Sequence, residues 1–302
     1  MKLLAPKYYK KFKCAADACR HSCCVGWEID VDEDTLALYE RVEGEIGERI
    51  RESIERCPDG AHFKLCEGER CALLDERGLC RIISALGEGA LCDICREHPR
   101  FYNTVGTHLE CGLGAACEVA AALILAEEDY RTLEHIEGED EITPVTGGNF
   151  DVEAARAALY TVLSDRERPI EERFAQLASV YALHALPRGE ELRALLCSLE
   201  YLDQGHRAML ASLVDVAPPD NTECEQERFF AYLVYRHASA ADSKEAFRAA
   251  VGMALLLTRL FGALMHTHTP TESAVILSEE MEYSRENTEA LLFAVQNSEK
   301  GA

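Results

Sequence analysis

The sequence predicts a mainly α protein: a cysteine-rich, metal-binding N-terminal region over residues 1–120, followed by a helical bundle over 121–302. Two observations predict it. Twelve of the fourteen cysteines lie between Cys14 and Cys117, and only Cys197 and Cys224 fall beyond. From about residue 115 onward, apolar residues recur at helical spacing almost continuously, with no strand–helix alternation of the doubly wound kind and no fixed-period repeat.

Each element follows from local signals. The opening "MKLLAPKYYKKFK" is basic but lacks an apolar h-region and a small-residue cleavage site, so it does not read as a secretory signal. No apolar run approaches the length that spans a bilayer, and the expected setting is cytoplasmic. A helix is expected within "DVDEDTLALYERVEGEIGERIRESIER", capped by Asp30 or Asp32, with Leu36, Tyr39, Val42, Ile46 and Ile50 on one face. Gly and Pro break "PDGAHFKLCEGERCALLDERGLCRI" into loops with a short hairpin. "ALCDICREHPRFY" reads as one or two helical turns stopped before Pro99. "CGLGAAC" reads as a helix start leading into the apolar "AACEVAAALILAEEDY". A linker at about 135–150 carries charge, Pro and Gly-Gly. Helical segments follow to the end, with Pro169 as a first helical residue and Pro187 as a stop.

The net charge of −23 disfavours binding to phosphate backbones and favours cationic partners such as lysine-rich protein surfaces. Neither nucleic acid nor a membrane is an expected partner.

Clustered thiols in a reducing compartment point to metal rather than disulfides. Cys92 and Cys95 form the single C-x-x-C pair. Cys19 and Cys23, four apart, share a face if helical, whereas Cys24 would project about 100° from Cys23 on a regular helix. Either the backbone is irregular there or one of that adjacent pair packs rather than ligates. Cys71 and Cys80 flank "ALLDERGL", a connection able to return both to one centre. The expected metal ligands are therefore Cys19, Cys23, Cys24, Cys71, Cys80, Cys92 and Cys95, with Cys14 as an additional candidate. Cys197 and Cys224 are expected to be small packed hydrophobes. Spacing leaves zinc and iron–sulfur both open. A single C-x-x-C pair, where zinc knuckles carry two, favours a cluster such as [4Fe-4S].

The chain resembles the flagellin lysine-N-methylase family, which is related to zinc- or iron-chelating cysteine-rich proteins. The resemblance rests on "PKYYKKFKC", "CRHSCCVGWEIDVDEDTLALY" and "CALLDERGLCRIISALGEGALCDICREHPRFYN", with further support from "CEVAAALIL", "RFFAYLVYRH" and "YSRENTEALL". The broad class is written C-x-x-C-x-x-C-C; here the spacing is C-x₄-C-x₃-C-C. The resemblance implies methyl transfer from S-adenosylmethionine to lysine on flagellin or a similar protein, with a cysteine-bound metal centre. No G-x-G-x-x-G follows a strand, so a Rossmann donor site is not expected.

Such chemistry must deprotonate a lysine and align it with a sulfonium methyl. Tyr102 is a candidate acceptor or channel wall, Trp27 a channel wall or a core anchor, and Arg100 a partner for the donor carboxylate. A zinc or iron–sulfur scaffold, or an electron carrier without methyltransferase activity, is the alternative.

Overall fold

The computed structural model describes residues 2–20, 22–58, 60–136, 150–183 and 185–298. Helices dominate them, as expected, but several strands are present as well. The chain forms two compact units that are not consecutive in sequence: Lys13–Arg100, and Met1–Phe12 together with Phe101–Ala302. These bounds differ from the division at about 120 read from the sequence, because strands on either side of the cysteine-rich stretch pair with one another.

The chain opens with β1 (Lys2–Pro6) and then enters the cysteine-rich unit. Asp32 caps α1 (Glu33–Tyr39), its carboxylate accepting from Thr35 N at 2.8 Å. The single helix expected there is two: Gly44, at φ +78°, breaks the run before α2 (Gly44–Glu52). The hairpin of β2 (Ile54–Cys57) and β3 (Gly60–Phe63) follows, then the short pair β4 (Leu65–Cys66) and β5 (Arg70–Cys71). Two short helices complete the unit, α3 (Arg81–Leu86) and α4 (Asp93–Glu97), the latter ending before Pro99 as expected. Its small core gathers Val31, Tyr39, Ile50, Phe63, Leu73, Ile82 and Cys92, with Cys71, Cys80 and Cys95 packed on it.

The other unit holds a four-stranded sheet in the order β6–β7–β1–β8, from β6 (Arg100–Val105), β7 (His108–Leu113), β1 and β8 (Leu133–Ile136). β1 runs parallel to β7, with Leu3 opposite Leu109, and antiparallel to β8, with Leu3 opposite Ile136. "CGLGAAC" is therefore not a helix start: Cys111 to Leu113 belong to β7, and α5 (Glu118–Ala126) begins only after Cys117. Of the expected linker at about 135–150, residues 137–149 lie outside the described residues; β8 takes 135 and 136.

The bundle continues with α6 (Val152–Leu163), α7 (Ile170–Val180), α8 (Gly189–Ser198), α9 (Gln204–Ser212), α10 (Glu223–Leu233), α11 (Lys244–Leu264), α12 (Pro270–Leu277) and α13 (Arg285–Asn297). Pro169 stands one place earlier than expected, at the N-cap of α7. α7 stops at Val180, well before Pro187. α11 is long and apolar enough to cross a membrane by length and composition, contrary to the sequence expectation. It is instead the core helix: 89% of that apolar window is buried, and Phe261 stacks on Phe229 of α10 at 4.3 Å. A Cβ on Gly252 would meet Val295 Cγ1 at 2.5 Å, so glycine sets how closely α11 and α13 approach.

Two one-turn π-helices interrupt the bundle, Val234–Ala238 after α10 and Ser278–Glu282 after α12. Such insertions disturb the regular hydrogen-bond ladder, and buried or half-buried side chains repair it here. Asn103 Nδ2 donates to the carbonyls of Tyr235 (3.3 Å) and Arg236 (2.9 Å). Asn287 Nδ2 donates to Glu280 O (2.6 Å), and Thr288 Oγ1 to Met281 O (2.9 Å).

Candidate metal centre

Five thiols of the Lys13–Arg100 unit share one neighbourhood: Cys24, Cys71, Cys80, Cys92 and Cys95. Each is delivered by a different piece of local structure. Residues 19, 20 and 22–24 form no helix. They follow Ala16, at φ +51°, and end in a turn before Gly26, at φ +81°. Cys19 and Cys23 therefore do not share a helical face, and the irregular backbone allows Cys23 and Cys24 to hydrogen bond side by side. Cys71 N donates to Cys24 O at 2.9 Å, and Val25 bridges to Arg70, which lays the CC turn along β5. The 71–80 connection closes on itself through a Leu74–Cys80 bridge and a turn around Asp75, returning Cys80 towards Cys71.

Cys80 and Cys92 occupy the N-caps of α3 and α4, where amides face outward and favour an anion. Asp32 fixes the second of these: the carboxylate that caps α1 also accepts from Asp93 N at 2.9 Å. Beneath them, the Tyr39 hydroxyl donates to Ala90 O at 2.8 Å.

The electrostatics follow. A hydrogen bond with Cys23, aided by Ser22 and the Arg70 charge, brings the Cys24 thiol down to about 7 against the pull of burial. Burial pushes Cys71 up to about 11, with Cys24 and Cys80 adding to it. Burial also raises Cys80. Cys95 hydrogen bonds with Cys92, which lowers the Cys92 thiol and drives Cys95 strongly upward; burial and the neighbouring Cys92, Cys24 and Cys80 reinforce that rise. Thiolates this close repel one another, and a cation among them is what lets several ionise together. Thiolate donors at this density suit a soft or borderline metal, so these residues fit zinc or an iron–sulfur cluster.

Other cysteines are placed as follows. Cys14 is exposed, and its Sγ accepts from Ala16 N at 3.4 Å in a local turn. Cys19 lines a cleft of about 460 Å³, whose walls include Arg20, Arg70, Glu76 and Arg77. Cys66, which the sequence left unassigned, bears on Cys71 from the β4–β5 pair. Cys197 and Cys224 are exposed rather than packed.

Of the candidate catalytic residues, Trp27 is half-buried just after the CC turn. Arg100 donates through Nη1 to Arg96 O at 3.1 Å. Tyr102 is 40% exposed on β6. The three guanidinium groups around the cleft offer carboxylate recognition that the sequence did not reveal.

The other unit carries a second concentration of buried charge, also unforeseen. It sits where "RFFAYLVYRH" and "YSRENTEALL" border the two π-helices. Glu282 accepts from the Tyr232 hydroxyl at 3.1 Å and pairs with His237 Nε2 at 2.7 Å and Arg236 Nε at 3.3 Å. Arg236 also lies over the rings of Phe101 (5.2 Å) and Tyr283 (4.7 Å). Gly114 leaves room for them: a Cβ there would stand 2.3 Å from the Tyr283 hydroxyl. Next door, burial and the Glu280 charge raise the Glu279 carboxyl to about 8.

No family model matches the chain, and no solved structure matches it. Curated relatives do. Two proteins named lysine-N-methylase, from Salmonella typhimurium and Salmonella choleraesuis, are each 31% identical over 134 residues. That match takes in 42% of this chain but spans only about a third (33%) of each relative's length. The flagellar biosynthetic protein FliU of Salmonella muenchen is 30% identical over 134 residues, and there the match spans 79% of the relative. On that coverage, the chain belongs to the flagellin lysine-N-methylase family.

Proposed function

We propose that the chain is a metal-dependent protein lysine N-methyltransferase that takes its methyl group from S-adenosylmethionine and acts on flagellin or a similar lysine-bearing protein in the cytoplasm. The observation that carries this reading is the likeness to proteins named lysine-N-methylase. The gathered thiols support its metal-dependent form.

Cys24, Cys71, Cys80, Cys92 and Cys95 would hold an iron–sulfur cluster or zinc. That group, when bound, supplies a Lewis-acidic centre able to receive oxygen or nitrogen donors. Arg20, Arg70 and Arg77 line the cleft beside the backbone that carries Cys24 and Cys71, and they suit the donor's carboxylate better than Arg100, which already donates to a backbone carbonyl. The substrate amine, protonated in water with a pKa near 10.4, must lose its proton before attack. That proton passes to solvent, and Trp27 offers an aromatic face to a cation. The chain's −23 charge draws a lysine-rich surface towards it.

The test is anaerobic reconstitution with iron and sulfide, or with zinc, followed by methyl-labelled S-adenosylmethionine and flagellin. Label on flagellin lysines, lost in Cys95→Ser, is the expected result. A protein with its metal intact that labels no lysine would instead be a scaffold or an electron carrier.

A further inference from the structure

The β2–β3 hairpin presents a second set of metal donors, distinct from the thiol core. Pairing sets Glu55 opposite His62 and Cys57 opposite Gly60. Ala61 and Phe63 are buried, so strand alternation turns His62 to the opposite face, the one that Glu55 and Cys57 share. An extended segment runs antiparallel along the other side of β3: Val31 N donates to Ala61 O at 2.7 Å, Phe63 N to Ile29 O at 3.0 Å, and Asp30 pairs with His62. Glu28, two residues from Asp30, shares that face, and its Oε1 lies 3.1 Å from His62 Nδ1. One donor atom each from Glu55, Cys57 and His62 lie within 4.8 Å of one another, with Cys57 Sγ 4.0 Å from His62 Nδ1; Glu28 stands outside that group and joins it by rotating its exposed side chain.

We propose that Glu28, Glu55, Cys57 and His62 form a tetrahedral zinc site that fastens the segment after the CC turn to the hairpin. The donor set selects the metal. A thiolate and an imidazole are foreign to calcium and magnesium, and one thiolate cannot hold an iron–sulfur cluster. Zinc takes sulfur, nitrogen and carboxylate oxygen together. Zn–S and Zn–N bonds of about 2.3 and 2.0 Å place sulfur and nitrogen roughly 3.5 Å apart in a tetrahedron. The observed separation is about half an ångström wider than that, within reach of small rotations of side chains on an open face. Cys57 binds as the thiolate and gives its proton to solvent. Four protein donors leave no open coordination position, so the role is structural. The proposal is independent of the methyltransferase reading.

Zn²⁺ is itself the probe. The full chain, carrying its thiol-core metal, is titrated with Zn²⁺, and bound metal is counted by native mass spectrometry. One zinc beyond the core is expected. Cys57→Ala and His62→Ala should each weaken it by at least roughly 100-fold, and Glu28→Gln by about 10-fold, with core metal unchanged. Co²⁺ in place of zinc should show a thiolate charge-transfer band that Cys57→Ala removes. Far-UV circular dichroism and Trp27 emission establish that the variants are folded. If the parent takes up no metal beyond the core, or if Cys57→Ala and His62→Ala bind it as tightly as the parent, the site does not exist.

Discussion

Glu282→Gln tests whether the charge between the two π-helices holds the bundle together. The substitution keeps the shape of the side chain and removes its charge. The Glu282 side chain is 1% exposed, and its carboxylate meets Arg236 Nε at 3.3 Å. At an effective dielectric constant of about 20, that separation corresponds to roughly 5 kcal/mol of attraction. The neutral variant leaves Arg236 buried, with the Tyr232 hydroxyl and two aromatic faces still around it but no counter-charge. Breaking one side of a buried pair costs about 3–5 kcal/mol, a large fraction of the ~5–15 kcal/mol that ordinarily holds a domain. A fall in melting temperature of roughly 10 °C is expected. Far-UV circular dichroism is the assay, because this unit supplies most of the helix. Arg236→Met alone should cost a similar amount, and the double variant roughly 2 kcal/mol less than the sum of the two. A loss under ~1 kcal/mol, or additivity within ~0.5 kcal/mol, would refute a net-stabilising ion pair at this place.

Three further outcomes follow from the structure. Cys92→Ser and Cys95→Ser should lose most of the core metal on analysis of the purified protein, while Cys197→Ser retains it, because serine is a poor ligand for a soft metal and Cys197 stands exposed on α8. Chelation should lower the transition reported by Trp27, the only tryptophan and a residue of the Lys13–Arg100 unit, more than the helical transition; equal shifts would count against metal-dependent folding of that unit. Glu279 has a folded pKa of about 8 against an ordinary 4.5. Between those values the folded state keeps a proton that the unfolded state releases, so stability falls as pH rises through that window. Glu279→Gln should therefore match the parent near pH 5 and exceed it by about 2–4 kcal/mol at pH 8; parallel pH profiles would contradict the shift.

What the sequence discloses depends on range. The C-x-x-C pair, the Asp32 cap and the stop before Pro99 are written within a few residues and are legible. The link from Cys24 to Cys71 is a strand contact between distant segments, and no local pattern announces it. The sheet is hidden in the sequence for the same reason. β7 is buried along most of its length and contains Gly112, so it lacks the apolar–polar alternation that marks a half-exposed strand. Cys19 and Cys23 have the spacing of a helical face, but the left-handed Ala16 and the turn at Cys23 and Cys24 deny them a helix. The π-helices leave composition unchanged and look like ordinary helix, so the site of Arg236, His237 and Glu282 became visible only in three dimensions.

The place of β1 in the sheet has a consequence for synthesis. It is an inner strand, and both of its neighbours are translated roughly a hundred residues or more after it. At about 5–20 residues per second, Leu3 and Ala5, both essentially inaccessible in the folded protein, stay unpaired for about 5–20 seconds while the whole cysteine-rich unit leaves the ribosome. The nascent chain thus has every thiol of that unit before it has a complete sheet. Over that interval, the supply of metal and the shielding of an apolar strand are demands on the same unfinished molecule.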